Sequence, residues 1–205
     1  MSSFIKDSKK ILRSEMLARR NSLTELEIYN KSKQIQEIFT ASSFFEKSKV
    51  LGVYLAHGSE VRTEIIIEAG FRIRKTIAVP RVIDSASMRF YEIDNISKNS
   101  LLEGKYGIPE PKRTERDISE AMDLLIAPGI AFDLHGYRLG HGMGYYDRFL
   151  ESKGHLTVIG LAFDFQLTRT RFLPHSKDDI KIDNIVTETG FHSFLSKLNK
   201  SQYLF

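Results

Sequence analysis

At 205 residues, 41% of them hydrophobic and 27% charged, the chain has the composition of an ordinary globular protein and enough length for one sizeable core. It has no cysteine, which excludes disulfides and thiolate chemistry and fits a reducing compartment. A formal net charge of +4 favours acidic partners without choosing among phosphates, carboxylates and nucleic acid.

Residues 4–20 suit a helix, with Ile5, Leu12 and Met16 as an apolar stripe and Lys9 and Arg13 four apart on one face. Thr24 and Glu27 then have capping-box spacing, and Leu23 is set to staple onto Ile28, so a second helix is predicted from about Glu25 towards Phe39. KVLGVYLA (49–56) reads as a buried strand ending in the turn-like HGS. A helix is expected over 61–73, and strands at TIAVPRV (76–82) and MRFYEI (88–93), with Pro80 at a strand end or edge. LLEGKYGIPEPK (101–112) reads as loop, and DLLIAPGIAFD (123–133) contains another buried strand. A helix follows at about 144–152, strands at LTVIGLAFDF (156–165) and DNIVTE (183–188), and a last helix at FHSFLSKLNK (191–200). With no repeat, low-complexity tract or linker, residues 1–205 read as a single α/β domain: an open, largely parallel twisted sheet flanked by helices. In such folds ligands gather beyond the carboxyl ends of the strands. No run approaches the roughly 18 apolar residues of a membrane span, and the N-terminus lacks an apolar block of signal-peptide length, so the expected location is cytoplasmic, without a membrane partner.

The densest signal is GYRLGHGMGYYDRFL (136–150), where Gly140, Gly142 and Gly144 alternate with His141 and Met143. Backbone N–H groups form an anion-binding concavity when residues alternate between left- and right-handed conformations, and glycine reaches the former without steric cost. Arg138 is placed to neutralise a phosphate oxygen, and Asp147 is a hard carboxylate suited to Mg²⁺. A turn that only lets a strand and a helix pack closely is an equal alternative. The spacing is neither GxxxxGK[ST] nor GxGxxG.

RLGHGMGYYDRFL closely resembles the RLGxGxGYYDxxL signature of the 5-formyltetrahydrofolate cyclo-ligase (methenyltetrahydrofolate synthetase) family. The resemblance continues through KKILR, YLAHGSEVRTE, VPR, YGIPEP, LLIAPGIAFDLHGYRLG, GLAFDFQ and DDIKIDNIVTE, in that family's order. It implies an enzyme that uses ATP and Mg²⁺ to convert 5-formyltetrahydrofolate, with or without a polyglutamate tail, to 5,10-methenyltetrahydrofolate, releasing ADP and phosphate. It assigns ATP to Lys9, Lys10, Ile11, Leu12 and Arg13, and to the loop Arg138, Leu139, Gly140, His141, Gly142, Met143, Gly144, Tyr145 and Tyr146. The folate side resembles Leu55, Glu60 and His141 to Tyr145, with Tyr106 as a residue to stack on the pterin or as a rim tyrosine. Asp147 and Asp179 resemble the metal ligands, with Asp178 and Asp183 as competitors for the second place.

No protein nucleophile is required; Arg138 and His141 are the only candidates for a direct catalytic role, and Arg148 either caps the site or faces solvent. His141, Met143 and Arg62 depart from the residues common at those positions. The expected state is a monomer acting on small molecules rather than nucleic acid. Two rivals are a sugar-phosphate enzyme that binds phosphate without needing ATP and a polyanion-binding module marked by steep salt dependence.

Overall fold

The computed structural model describes residues 2–96, 101–104, 109–111, 116–170 and 172–194. The helices are α1 (Ser2–Asn21), α2 (Glu25–Thr40), α3 (Ser43–Lys47), α4 (Glu64–Arg72) and α5 (Tyr145–Leu150). The strands are β1 (Val50–Val53), β2 (Thr76–Val82), β3 (Met88–Ile93), β4 (Leu101–Glu103), β5 (Pro109–Pro111), β6 (Leu124–Ala127), β7 (Ala131–Asp133), β8 (Arg138–Leu139), β9 (Thr157–Leu161), β10 (Leu167–Thr168), β11 (Asn184–Thr187) and β12 (Gly190–Ser193). Seven strands form the main sheet in the order β12-β11-β9-β6-β1-β2-β3. Its five inner strands run parallel, and only the edge strands β3 and β12 are antiparallel to their neighbours. The expected open, largely parallel sheet is present.

Period-two alternation fills both faces. Leu124 and Ile126 pack with Ile35 and Phe39 of α2 and Ile66 and Ile67 of α4. Leu125 and Ala127 face the other way, with Phe90, Phe132, Val158 and Leu150 of α5. Burying each such large side chain contributes about 1.5–3 kcal/mol. Helix α1 stands apart and seats Leu12 and Met16 against Ile130, Ala131 and Leu139.

The second helix starts as its sequence dictates. The Thr24 N–H donates to Glu27 Oε2 at 2.8 Å and the Glu27 N–H to Thr24 Oγ1 at 3.3 Å, closing the capping box. Two buried polar residues of α2 then organise the next segment. Gln36 Oε1 accepts from the N–H groups of Ile65 and Ile66, capping α4 from outside, and Ser32 Oγ accepts from the Arg62 N–H. This fixes the approach to α4, which begins at Glu64 rather than 61. Pro80 pairs with Phe90 on β3, but β1 reaches only as far as Ala78 on β2. Pro80 therefore sits where β2 has outrun its other neighbour, and its missing N–H leaves no gap in the ladder.

Three expectations are corrected, and the buried strand expected within 123–133 is present as β6 with a second strand after it. Within 101–112 the described residues form an antiparallel ribbon, β4 with β5, rather than loop; a two-stranded edge tolerates the prolines that a central strand would exclude. The 123–133 segment is two strands, because Pro128-Gly129 breaks the run and β7 leaves the main sheet to pair with β8 and β10. The 156–165 segment keeps its strand only to Leu161 and turns into a 3₁₀ helix at Asp164–Gln166. The last helix is replaced over 191–193 by β12: Gly190, at φ +129°, turns the chain back so that Phe191 pairs with Val186. The rest of that expected helix, 195–200, lies outside the described residues, as does Tyr106.

Candidate active site

A cleft of about 910 Å³ opens beyond the carboxyl ends of β1, β2 and β6, near the top of the roughly 300–1,000 Å³ range of small-molecule sites. One wall is α1. Lys6, Lys9, Arg13, Leu17 and Arg20 all line it, and their spacings of three and four put them on one helical stripe. Lys9 Nζ reaches Asp179 Oδ1 at 2.7 Å and Oδ2 at 2.5 Å, and Arg13 Nε donates to the Gly140 carbonyl oxygen at 2.8 Å. The opposite wall is thus tied to the helix by the same cations that face the cleft.

The glycine loop alternates over its second half. Gly142 (φ +100°) and Gly144 (φ +69°) are left-handed and Met143 between them is not, but the first glycine, Gly140, keeps an ordinary φ, as does His141. A Cβ on Gly142 would also meet the Arg13 guanidinium carbon at 3.4 Å. The helix that follows, α5, is only six residues long, so its dipole is weak and the loop amides and side chains dominate the local field. Arg148 pins the loop from outside: Nη2 donates to the Met143 carbonyl oxygen at 2.7 Å and Nε to that of Ala86 at 2.5 Å. Tyr145 adds a bond from its hydroxyl to the Asp84 carbonyl oxygen at 3.2 Å.

The far end of the cleft carries Tyr54, Leu55 and the turn His57–Glu60. Glu60 Oε2 accepts from the His57 N–H at 3.1 Å, and Oε1 lies 3.6 Å from His141 Nε2. Burial pushes the phenols of Tyr54 and Tyr146 above their ordinary value, so both remain neutral hydroxyls.

Two carboxylates complete the site. Asp147 Oδ1 accepts from Arg138 Nη2 at 3.3 Å and from the Ile180 N–H at 3.2 Å, which brings it beside Asp179. Among the described residues Asp147 Oδ2 receives no protein donor. Burial pushes the Asp179 carboxyl up, but the Lys9 ammonium and the Ser176 N–H outweigh it and hold it below the usual carboxylate range. No group of three or more metal-ligating side chains occurs among the described residues. Two hard carboxylates with room for further oxygen ligands fit Mg²⁺, which takes one or two carboxylates and completes its shell with water and phosphate.

Residues 5–188 match the profile of the 5-formyltetrahydrofolate cyclo-ligase family. The chain belongs to that family. A probable 5-formyltetrahydrofolate cyclo-ligase of Caenorhabditis elegans is 31% identical over 198 residues, covering 91% of this chain and 95% of the relative. The 5-formyltetrahydrofolate cyclo-ligase of Mus musculus is 29% identical over 197 residues, covering 90% and 95%. The solved structure of Aquifex aeolicus 5,10-methenyltetrahydrofolate synthetase is similar with a TM-score of 0.79 at 31% identity, covering 96% of this chain and 99% of that one.

Of the residues that the cyclo-ligase resemblance singles out, Leu55, Glu60, Arg138 to Asp147 and Asp179 all line the one cleft. In the Lys9–Arg13 stretch only Lys9 and Arg13 do; Leu12 is in the core and Ile11 is exposed outside the cleft, as is Lys10. Arg138 is buried, with Nη1 on the Pro128 carbonyl oxygen at 3.3 Å and Nη2 on Asp147, and acts as a strut for that carboxylate. Asp183 Oδ2 accepts from the Val158 N–H at the start of β9, at the opposite end of the sheet, and Asp178 does not line the cleft. Arg62 turns outward to Glu25 at 3.0 Å. Sequence reasoning missed Lys6, Arg20, Tyr54, Val82, Met88 and Glu110 as lining residues. For Lys6 and Arg20 the signal was available, since both extend the helical stripe through Lys9 and Arg13.

Proposed function

We propose that this chain catalyses the ATP-driven ring closure of 5-formyltetrahydrofolate to 5,10-methenyltetrahydrofolate, with ADP and phosphate as co-products. The observation that carries the reading is the convergence, in one cleft of a cyclo-ligase family member, of Lys9 and Arg13, the glycine loop, and the Leu55–Glu60 turn. ATP phosphates lie against the loop amides of 140–144 with Lys9 and Arg13 facing them. The pterin lies at the Glu60 end, where a carboxylate accepts the N–H donors of its pyrimidine ring.

The formyl oxygen attacks the γ-phosphorus and ADP leaves, giving an N5-linked formyl phosphate carrying iminium character. N10 then adds to the formyl carbon and loses its proton, and phosphate departs to leave the methenyl bridge. Phosphoryl transfer needs positioning and charge neutralisation rather than a protein nucleophile. Lys9 and Arg13 supply fixed positive charge, while the left-handed glycines let the phosphates approach the backbone. Asp147 and Asp179 would hold Mg²⁺, which neutralises phosphate charge when bound. For that, Lys9 exchanges its Asp179 partner for a phosphate oxygen. His141, close to Glu60 and half exposed, adjoins both ligands and serves as a contact between them.

Mixing the protein with 5-formyltetrahydrofolate, ATP and Mg²⁺ and following methenyl absorbance tests this directly. The expected result is product formation that stops when ATP is omitted. Absence of ATP-dependent product over a range of pH would overturn the reading.

A further inference from the structure

Arg20 is the cation of the α1 stripe that lies farthest from the nucleotide end marked by Lys9. A rise of about 1.5 Å per residue sets it roughly 16 Å along the helix from Lys9, at the Glu60 end of the cleft. It is only 5% exposed. Its Nε donates to Ser59 Oγ at 3.0 Å, and Ser59 Oγ in turn donates to Asn21 Oδ1 at 2.5 Å. The two Nη groups donate to no protein atom among the described residues. Glu60 is near enough to be felt electrostatically, yet the two do not form a direct ion pair. The Nη groups are not sealed from solvent, so they face the cleft with hydrogen-bonding capacity left for a ligand.

We propose that Arg20 is a specificity residue for the pterin head group, donating from Nη to its 4-oxo oxygen while Glu60 accepts from the adjacent ring N–H and amino group. The inference rests on the reading of the cleft as a folate site and extends it. The chemistry of the pair matches one edge of a 2-amino-4-oxopteridine, which presents donor and acceptor side by side. A donor and an acceptor held apart on neighbouring elements cannot quench each other, so both remain open to the ring. The anchor from Nε to Ser59 fixes the fork, because one restrained nitrogen orients the planar guanidinium.

The test compares the protein with Arg20→Gln against two ligands, 5-formyltetrahydrofolate and its 4-amino analogue used as a competitive inhibitor. Loss of a charge-assisted bond should raise KM for 5-formyltetrahydrofolate about 10- to 100-fold. KM for ATP and the inhibition constant of the 4-amino analogue should stay within about twofold, since neither contact is removed. Equal weakening of both pteridines would overturn the proposal and assign Arg20 to shaping the turn through Ser59. A parallel rise in KM for ATP, or no change at all, would overturn it too. Should the variant fail to fold, the arginine side-chain N–H resonances of the unmodified protein decide. Those of Arg20 should shift and gain exchange protection on adding 5-formyltetrahydrofolate alone; unchanged signals at saturation would refute the contact. A protein that shows these shifts but no turnover would contradict the proposed reaction and leave the Arg20 inference standing.

Discussion

Asp147 is bonded into the fold through Oδ1 and is proposed to hold Mg²⁺ with its carboxylate, so two substitutions separate the two roles. Asp147→Ala removes the acceptor from Arg138 Nη2 and from the Ile180 N–H. The Arg138 side chain keeps 4% of its exposure and that of Asp147 22%. Stranding one partner of a fully buried pair costs about 3–5 kcal/mol, and the partial exposure of Asp147 lowers this to about 2–3 kcal/mol by solvent screening. For a chain of this size that is a fall in Tm of about 4–12 °C. Asp147→Asn keeps an oxygen for both donors and loses only charge, so the fall should be near 1 kcal/mol, or about 2–4 °C. Both variants lack the carboxylate, so both should need at least about tenfold more Mg²⁺ for half-maximal rate. Thermal unfolding and a Mg²⁺ titration of methenyl formation measure the two effects separately. Wild-type Mg²⁺ dependence in Asp147→Asn would refute the metal assignment, and an unchanged Tm in Asp147→Ala would refute the strut.

Lys9→Met should raise KM for ATP about tenfold or more while leaving KM for the folate near wild type; steady-state kinetics with each substrate varied in turn would expose the opposite pattern. Gly142→Ala forces a side chain into φ +100° and should cost about 1–3 kcal/mol, with a larger loss in ATP use than in Tm because the strain falls on the loop; equal wild-type kinetics would count against the phosphate role. Asp164, away from the cleft, is held down to about 2, chiefly by hydrogen bonds from Arg169 and with help from Thr189 and Thr187 against the opposing effect of burial. Its folded value is depressed, so its stabilisation is present above the ordinary carboxylate range near 4 and is lost as pH falls through about 2. The Tm gap between the protein and Asp164→Asn should therefore be full at pH 7 and close between about pH 4 and 2, and a gap that widens on acidification would reverse the sign of this linkage.

Local patterns carried far in this chain. The Thr24–Glu27 box, the strands 76–82 and 88–93, and the alternation of Gly142 and Gly144 are all decided by near neighbours, and each is found where the sequence places it. What could not be read depends on partners distant in sequence. Phe191 and His192 satisfy a helical pattern as well as a strand, and the reversal at Gly190 beside an unpaired β11 edge decides between them. Ala131–Asp133 is apolar enough for the main sheet, yet it pairs with β8 and β10. Within the site, Asp178, Asp179 and Asp183 have similar local surroundings in sequence. The family resemblance prefers Asp179, and the fold gives the physical difference: Asp179 faces Lys9 while Asp183 is bonded to Val158. Arg148 is exposed, one of the two outcomes expected of it, and it also joins two loops more than fifty residues apart in sequence.

The docking of α1 has a thermodynamic consequence. Its apolar anchorage is small, chiefly Leu12 and Met16, and three of its remaining ties, from Lys9, Arg13 and Arg20, run across the active-site cleft itself. A ligand touching both walls therefore binds only the docked helix, and by mass action it lowers the population in which α1 has come away. The helix is a clamp whose closing free energy comes partly from what it encloses, and amide exchange along α1 reads out occupancy of the cleft.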